Sequence, residues 1–318
     1  MANQIKTRFN SKAMQTILAF SGLILLLIIF SLSSPYFMTR TNLVTILLMT
    51  AVNGILAVGI TFIIVTGGID LSIGTVMTFS SVIAGVIMTN LGLPIWLGII
   101  GALIAGALCG FMNGICIAKL GLPPFIATLG MMNVTKGLNL VISGTKPVYM
   151  QQEAFMAIAT KPILGIPLGV IIFFIAAGIA AFVLSKTVIG RYTFAIGSNE
   201  EAARLSGINT SAWKIAIYSM SGLFFGIAGI VMASRLSSAQ PQLGPGYEME
   251  AISAAVIGGA SLSGGEGSIL GTLIGAFIIT VLSNGLRILS VPQEWQMVVT
   301  GLIVIGSVYL DIVRRKVK

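Results

Sequence analysis

Apolar residues occur in long runs that are separated by short polar segments along the whole chain. Ten such runs lie at about residues 17–30, 43–65, 71–89, 95–118, 125–142, 168–185, 215–234, 249–260, 269–287 and 296–311. A helix that crosses a bilayer needs about 20 mainly apolar residues, and most of the runs approach that length. The run at 249–260 is short and rich in Gly and Ala, which predicts a half-helix or a re-entrant segment. The pattern predicts an all-α, polytopic integral membrane protein with about ten transmembrane helices.

The composition agrees with this pattern. Of 318 residues, 56% are hydrophobic and 8% are charged, whereas soluble domains carry about 25% charged residues. A water-soluble globular protein and a disordered chain are both excluded. No polar half and no long linker divides the chain, so residues 1–318 are predicted to form a single transmembrane domain.

The distribution of positive charge predicts the orientation. The formal net charge is +9, and Lys and Arg concentrate in the cytoplasmic segments of membrane proteins. With the ten runs threaded from a cytoplasmic N-terminus, the inner segments carry Lys6, Arg8, Lys12, Lys119, Lys186, Arg191, Arg204, Lys214, Arg314, Arg315, Lys316 and Lys318. The outer segments carry Arg40, Lys146, Lys161, Arg235 and Arg287, and Lys136 falls within a run. Both termini are predicted to be cytoplasmic, with a long inner segment at 186–214 and outer segments at 144–167 and 235–248.

The N-terminal residues resemble a secretory signal peptide, because basic residues precede an apolar run. Residues 33–37 (SSPYF) nevertheless form a poor cleavage site. We therefore interpret the run at 17–30 as an uncleaved first helix that enters the lipid bilayer from the cytoplasm.

The chain lacks the residues of common catalytic and metal sites. It contains no His, which excludes His-based triads, imidazole metal sites and His pH switches. Cys109 and Cys116 would lie about 10.5 Å apart along a helix, which is too far for a disulfide. There is neither a Gly-x4-Gly-Lys-Ser/Thr phosphate loop nor a Gly-x-Ser-x-Gly nucleophile elbow. We expect a protein that is not an enzyme, binds no cofactor or metal, and draws its energy from another subunit.

Nucleic acid is not an expected partner, because no basic patch is interleaved with aromatic residues.

Two ladders place a small residue at every fourth position. They are Gly98, Ala102, Gly106, Gly110 and Gly114, and then Ser263, Gly267, Gly271 and Gly275. Small residues let helix backbones approach closely in a membrane. The ladders predict helix contacts either inside the bundle, which is the interpretation we favour, or at a dimer or gate interface.

Polar residues near breaks in the apolar runs are candidates for a transport pathway. Asp70 lies between two runs beside Gly67, Gly68 and Ser72. Two interpretations stay open: Asp70 caps a helix that begins near Leu71, or it belongs to a break that lines the pathway. Further candidates of this kind are Asn53, Asn133, Asn139 and Asn284, although packing or bonding between helices is the simpler role for each.

The same Gly-rich pattern occurs twice. Residues 67–74 (GGIDLSIG) and 258–265 (GGASLSGG) both place paired glycines and Leu-Ser at a break between runs. The similarity indicates either a remnant of a duplication or two similar turns.

The inner segment 186–214 contains the signature of a short helix. Ser198 followed three residues later by Glu201 matches a capping box. Arg204 lies four residues after Glu200, the spacing of a helical ion pair, and Gly207 can end the helix. The pattern predicts a cytoplasmic helix over about 199–206. The residues that would form its compact apolar side are Ala202, Ala203 and Leu205.

A helix of this length is not stable alone, so it docks either on a partner or on its own bundle.

Several blocks of the sequence resemble the permeases of ribose-type sugar ABC importers. They are residues 67–72 (GGIDLS), 124–130 (PFIATLG), 197–208 (GSNEEAARLSGI), 237–241 (SSAQP), 244–248 (GPGYE), 258–265 (GGASLSGG) and 267–272 (GSILGT). The blocks follow one another along nearly the whole chain, so the resemblance concerns the family. It does not indicate the substrate, because permeases for ribose, xylose, allose, other sugars, polyols and a furanose-like autoinducer share these blocks.

The resemblance implies the permease of a bacterial inner-membrane importer for a monosaccharide, ribose or a similar pentose or hexose, with a polyol or a furanose-like autoinducer as alternative cargo. It implies a nucleotide-binding ATPase on a separate polypeptide, which holds ATP and Mg. It also implies a periplasmic or lipid-anchored sugar-binding protein and a second permease copy in a homodimer. Carried over residue by residue, the positions that would touch the ATPase are Glu200, Glu201, Ala202, Ala203, Arg204 and Gly207.

A second class of function stays open on the residues alone, namely an ion-coupled secondary transporter or a channel that works without an ATPase. Such transporters usually carry ionisable groups inside the membrane. Asp70 and Lys136 are almost the only candidates for such groups here.

Overall fold

The structure, a computed structural model, describes the backbone of residues 2–316. Side chains are described for residues 16–306, 308, 309 and 312. Several basic residues that were used to predict the orientation have side chains outside this described part, namely Lys6, Arg8, Lys12, Arg314, Arg315, Lys316 and Lys318.

Helices make up most of the fold, which confirms the all-α class. In chain order they are α1 (Ala2–Ser33), α2 (Arg40–Val65), α3 (Ile73–Gly85), α4 (Ile95–Ala118), α5 (Pro124–Ser143), α6 (Glu153–Thr160), α7 (Leu168–Lys186), α8 (Val188–Ser198), α9 (Glu200–Leu205), α10 (Thr210–Leu236), α11 (Tyr247–Ile257), α12 (Ile269–Ile288) and α13 (Gln293–Lys316). A π-helical turn, Val86–Asn90, extends α3. The strands are two residues long and comprise β1 (Val148–Tyr149), β2 (Pro162–Ile163), β3 (Ile166–Pro167) and β4 (Ser238–Ala239).

Eight helical segments are long and apolar enough to cross a membrane. They are Thr16–Ser33, Arg40–Val65, Ile73–Asn90, Ile95–Ala118, Pro124–Ser143, Leu168–Lys186, Thr210–Leu236 and Ile269–Ile288. Each coincides with one of the predicted runs. The short run at 249–260 forms α11, whose 11 residues span about 16 Å, roughly half of a bilayer's hydrocarbon core. The last run lies within α13. The chain is a multi-pass membrane protein.

The centre of the bundle is α2. Every residue from Thr50 to Val65 is buried, which agrees with a segment that is apolar on all sides. Among the helices that pack around it are α7, α10, α11 and α12.

The first ladder of small residues packs inside the bundle, against α10. A Cβ atom on Gly106 would overlap the carbonyl oxygen of Gly222, and one on Gly110 would overlap that of Tyr218. One on Gly114 would lie 2.7 Å from the Cα of Ile215. The backbones of α4 and α10 therefore touch, and internal packing accounts for this ladder.

The second ladder is not one continuous helix face, contrary to the prediction. Gly271 and Gly275 lie in α12 and pack on the backbone of α11 at Gly258 and Ala254. Ser263 and Gly267 precede α12, which begins at Ile269. The physical reason is that two residues of the intervening loop, Gly264 and Gly265, have left-handed backbones, with φ of +81° and +76°.

The two predicted outer segments meet in space. β1 pairs antiparallel with β4, so that Val148 lies opposite Ala239. At the end of α10, the hydroxyl of Ser234 donates to the carbonyl of Phe155 at 2.7 Å and accepts the N–H of Ala159 at 2.8 Å. These contacts place 144–167 and 235–248 on one side of the bundle, as the charge distribution predicts. The sequence did not predict α6 or the short strands, because such brief elements carry little periodicity.

Candidate functional site

The short helix α9 is the element for which the sequence predicts a partner contact. It begins at Glu200, and Oδ1 of Asn199 accepts a hydrogen bond from the N–H of Ala202 at 2.9 Å. Asn199 is therefore the N-cap, and the prediction that Ser198 caps the helix with Glu201 is wrong. The reason is that Ser198 is the last residue of α8. Asn199 instead has the extended backbone, φ −164°, that an N-cap requires.

Two ion pairs hold the charged side chains of α9. Nζ of Lys214, in the first turns of α10, lies 2.6 Å from Oε2 of Glu200, and Nη2 of Arg204 lies 2.7 Å from Oε1 of Glu201. The predicted pairing of Glu200 with Arg204 is therefore wrong, because Lys214 reaches Glu200 from the neighbouring helix. The hydrogen bond from Arg204 lowers the pKa of Glu201 below its ordinary value, so this carboxylate stays ionised at neutral pH.

Most of the α9 surface is open. Of the predicted apolar side, Ala203 is 5% exposed and Leu205 is 78% exposed, while Ala202 is also exposed. Gly207 ends the helix as predicted: its φ is +85° and its N–H bonds to the carbonyl of Arg204 at 3.0 Å. The helix packs on its own bundle through Ala203, and its other side chains are exposed.

The end of α8 packs directly on the end of α2. A Cβ atom on Gly197 would overlap the carbonyl oxygen of Val65 and would lie 2.7 Å from the N atom of Gly265. The N–H of Gly265 donates to the same Val65 carbonyl at 2.9 Å. Three backbone segments therefore touch with no side chain between them. The end of α8 and the end of α2 are therefore in direct backbone contact at Gly197 and Val65.

The two similar Gly-rich segments meet at this contact. A Cβ atom on Gly264 would lie 2.9 Å from the N atom of Gly67 and 2.6 Å from the carbonyl oxygen of Gly197. Gly67 has a left-handed backbone, φ +79°. A Cβ atom on its neighbour Gly68 would lie 2.6 Å from the hydroxyl oxygen of Tyr218. Both glycines are therefore needed for the turn to fit between its neighbours.

Asp70 organises the turn between α2 and α3 and is 1% exposed. Its Oδ1 accepts the N–H and the hydroxyl of Ser72 at 2.7 and 2.6 Å, and its Oδ2 accepts Nδ2 of Asn113 at 3.3 Å. α3 begins at Ile73 rather than near Leu71. Asp70 thus accepts a backbone N–H as predicted, but from Ser72 before the helix and not from its first turn. Its bond to Asn113 ties the turn to α4.

Two of the candidate asparagines bridge helices. Nδ2 of Asn53 in α2 donates to Oε2 of Glu250 in α11. Nδ2 of Asn139 in α5 donates to the carbonyl of Thr75 in α3 at 3.3 Å. Bonding between helices, the simpler of the predicted roles, is what the structure shows for both.

The other two asparagines differ from each other. Asn284 in α12 exchanges two hydrogen bonds with Asn42 in α2, at 3.0 and 2.9 Å. Asn133 is exposed, and its Nδ2 donates to the carbonyl of Leu129 on its own helix at 3.1 Å. Among the described residues Asn133 makes no bond to another helix, so a role for it between helices stays a prediction.

Sequence reasoning missed four side-chain partners: Asn42, Asn113, Lys214 and Glu250. Each lies far along the chain from the residue that it contacts, so no local spacing connects them. Glu250 alone carried a usable signal, since it is an acidic residue inside an apolar run. Within the described part of the chain, no group of three or more His, Cys, Asp or Glu side chains is placed to hold a metal ion.

The chain is similar to known permease components over most of its length. The family model described as "Branched-chain amino acid transport system / permease component" matches residues 42–308. The ribose import permease protein of Bacillus subtilis is 44% identical over 301 residues, which cover 94% of this chain and 93% of that protein. The ribose import permease protein of Haemophilus influenzae is 41% identical over 297 residues, covering 92% of each chain. The fructose import permease protein of Rhizobium meliloti is 38% identical over 290 residues, with coverage of 88% and 80%.

Proposed function

The chain belongs to the family of permease components described for branched-chain amino acid transport systems, and from this premise we propose that it is the permease subunit of an ATP-driven importer for a monosaccharide. The observation that carries the proposal is the similarity, over at least 88% of the chain, to permeases named for ribose and fructose import. A sugar is therefore a better candidate than an amino acid. Ribose comes first, since the two ribose permeases are 41% and 44% identical and the fructose permease is 38% identical.

The proposed topology has ten crossings with both termini in the cytoplasm of a bacterium, in its inner membrane. Eight crossings correspond to the long apolar helical segments, and α11 and α13 supply the eighth and tenth crossings, which return the chain to the inner side. The meeting of 144–167 with 235–248 through β1 and β4 supports this threading, because both segments must then lie on the same side of the membrane.

The energy for transport comes from a separate ATPase that holds ATP and Mg, while this chain binds neither. The proposed contact with that ATPase is α9 together with Gly207. Glu201 and Arg204 form an exposed ion pair, with side chains 62% and 65% exposed, and Leu205 offers an exposed apolar side chain beside them. The partner would meet Glu200, Glu201, Ala202 and Arg204 on the open side, whereas Ala203 anchors the helix to this chain.

Motion of α9 would pass to the transmembrane bundle through the backbone contact at Gly197. The end of α8, the end of α2 and the loop before α12 touch there without intervening side chains. Nucleotide binding by the partner, which displaces α9, would therefore shift α2 and α12 against α11. We assign Gly67, Gly68, Asp70 and Ser72 to this moving joint rather than to sugar contact, because Asp70 is already engaged by Ser72 and Asn113.

The sugar-binding protein docks on the outer side in this proposal, on 144–167 and 235–248. The hairpin of β2 and β3 projects from this surface: Leu164 at its tip is 100% exposed and has a left-handed backbone, φ 52°. The β1–β4 pairing links this surface to the end of α10 and so to the bundle.

A second copy of the chain is proposed to face α5. In that membrane span, Asn133 and Lys136 are exposed, and no atom lies within 4 Å of where a Cβ would stand on Gly130 or Gly137. An amide and an ammonium group that face lipid are costly. In a symmetric pair the same faces meet, and water in a path between them would solvate these groups. The open glycines would let the two backbones approach.

The proposal is tested in vesicles that contain this chain, a cognate nucleotide-binding ATPase and a sugar-binding protein. We expect radiolabelled D-ribose to accumulate only with ATP and Mg inside the compartment that holds the ATPase. Matched vesicles without the ATPase serve as the control. Uptake by the chain alone under an ion gradient would contradict the proposal and favour an ion-coupled transporter or channel. Replacing ribose with D-fructose, a polyol or L-leucine in the same assay identifies the cargo.

A further inference from the structure

A largely apolar cavity with several polar side chains in its walls opens where α11, α12 and α13 meet. Its volume is about 780 Å³, and it adjoins a second space of about 330 Å³ that reaches α2 and α10. The two spaces share the lining residues Gly246, Glu250, Arg287, Gln293 and Met297, so they form one continuous volume. Sites for small molecules typically measure about 300–1,000 Å³, so this volume can hold one.

The buried side-chain amide of Asn53 lines the cavity, and its carbonyl oxygen accepts no hydrogen bond. Asn53 is 4% exposed and lines the smaller space. Its Nδ2 donates to Oε2 of Glu250, while its Oδ1 has no hydrogen-bond partner. A buried polar atom without a partner lowers stability, and a bound ligand that donates a hydrogen bond would satisfy it.

The walls supply both donors and acceptors in one place. Glu250 contributes carboxylate oxygens, which only accept, and Arg287 contributes a guanidinium, which only donates. Neither takes part in the two ion pairs that the described residues form. Thr300 and Gln293 add a hydroxyl and an amide. Ionisable side chains that line a cavity inside a membrane protein are typical of a functional path.

Alternating donors and acceptors match a polyhydroxylated ligand. Each sugar hydroxyl donates one hydrogen bond and accepts others, so neighbouring hydroxyls can bond to Glu250 and to Arg287 together. A neutral sugar brings no charge of its own, and the opposite charges of the wall partly offset each other. The apolar side chains of Met249, Met297 and Val304 can cover the C–H faces of the ring.

The cavity is placed to receive its ligand from outside. Arg235 and Arg287 lie in the last turns of α10 and α12, the ends that lead to the outer side in the proposed topology. Gly246, the residue before α11, lines both spaces and has a left-handed backbone, φ +104°.

We propose that this cavity is a sugar-binding station within the permease itself, in which Asn53, Glu250 and Arg287 hold the hydroxyls of a monosaccharide released from the outer side. The inference rests on the proposed importer function and adds to it a ligand site on this chain. Lipid acyl chains are the competing occupant, because the cavity is also lined by apolar residues.

The first test asks whether the cavity contains water and sugar. In a background in which Cys109 and Cys116 are replaced by Ala, Thr300→Cys places a thiol in the cavity. Val298→Cys is the matched control, since Val298 is 49% exposed on the same helix and does not line the cavity. A charged, membrane-impermeant thiosulfonate reagent is added from the outer side of the assembled importer. We expect Thr300→Cys to react about tenfold faster than the control, and D-ribose with its binding protein to slow that reaction.

Equal rates for the two cysteines, or a rate that ribose leaves unchanged, would overturn the proposal in favour of a lipid-filled or unused space. This readout does not depend on successful transport. It therefore separates failure of the cavity from failure of the importer function, which would show as an absence of ATP-dependent ribose uptake by the unmodified chain.

The second test measures transport. Glu250→Gln keeps the size of the side chain and its acceptor oxygen but removes the charge. We expect maximal ribose uptake to fall about tenfold, while the ATPase activity that the loaded binding protein stimulates stays within about twofold. Glu294→Gln, on the exposed start of α13 outside the cavity lining, is the matched control and should transport normally. Normal uptake by Glu250→Gln would contradict the assignment of this carboxylate.

Discussion

Helices α4 and α5 follow one another in the chain and have 24 and 20 residues, yet their glycines have opposite surroundings. On α4, Gly106 and Gly110 leave no room for a Cβ atom, because the backbone of α10 lies against them. On α5, Gly130 and Gly137 face open space. The same residue type thus marks a filled contact on one helix and an unfilled face on the next.

The polar residues of the two helices repeat this difference. Asn113 of α4 is 1% exposed and bonds to Asp70 and Ser72. Asn133 and Lys136 of α5 are exposed. The comparison teaches that α4 is packed within the bundle of one copy, whereas the outward face of α5 is left open by the described residues.

The largest effect is expected when the filled contact is disturbed. Gly106→Leu forces a branched side chain into the backbone of α10, where overpacking costs about 3 kcal/mol or more because no side chain can yield. We expect loss of the folded, monodisperse protein in detergent, measured by size-exclusion chromatography of a fluorescent fusion, and with it complete loss of uptake. A well-folded, fully active variant would contradict the α4–α10 contact.

The matched change on the open face is Gly137→Leu. The protomer should fold at least as well as the original, because Leu favours a helix over Gly by roughly 1 kcal/mol and no atom opposes the new side chain. Uptake should nevertheless fall more than about tenfold, since the side chain would enter the contact with the second copy. Normal uptake together with normal folding would show that this face meets only lipid.

A third open surface, α9, is expected to give a smaller loss with the fold intact. Glu201→Lys reverses an exposed charge and removes the pair with Arg204, a surface change that should leave the folded protein intact. We expect uptake to fall about fivefold to tenfold and ATP hydrolysis to lose its dependence on the loaded binding protein. Glu201→Gln, which only removes the charge, should give an uptake between those of the original protein and Glu201→Lys. Unchanged coupling in both variants would count against contact through α9.

The smallest effect is expected from Asp70→Asn, within the filled region. The acceptor for Ser72 can be kept, but the new amide would present donors to the donors of Asn113, at a cost of about 1–2 kcal/mol. We expect a lower Tm in detergent and a two- to threefold loss of uptake. The double variant Asp70→Asn with Asn113→Asp restores a donor–acceptor pair. It should recover part of the Tm and part of the uptake. Abolished uptake at an unchanged Tm would instead place Asp70 in the sugar pathway.

Much of this fold could be predicted from the sequence, because each long apolar helix corresponds to one apolar run. The short α11 and the end of α9 at Gly207 could also be predicted. The length of an apolar run limits the length of its helix, and a glycine after a helix can end it. The cap was misplaced by one residue because the sequence gives no sign that α8 runs to Ser198. Once it does, Asn199 is the first residue free to take an extended backbone.

The contacts between distant segments could not be predicted in the same way. The pairing of Glu200 with Lys214, the bond between Asp70 and Asn113 and the approach of Asn53 to Glu250 all depend on how helices pack. Periodicity says which residues share a face of one helix, but it does not say which helix that face meets. The cavity could not be predicted for the same reason, because its walls come from several different helices.

The brevity of α11 has a consequence for how substrate range can change. Pro245 and the left-handed Gly246 stop the helix from starting earlier, so the first turn of α11, with Met249 and Glu250, lines the cavity. Selectivity in such a protein can therefore be retuned by shifting where one helix begins. A deletion or insertion of a few residues before Tyr247 would resize the chamber while every side chain on its walls stayed the same.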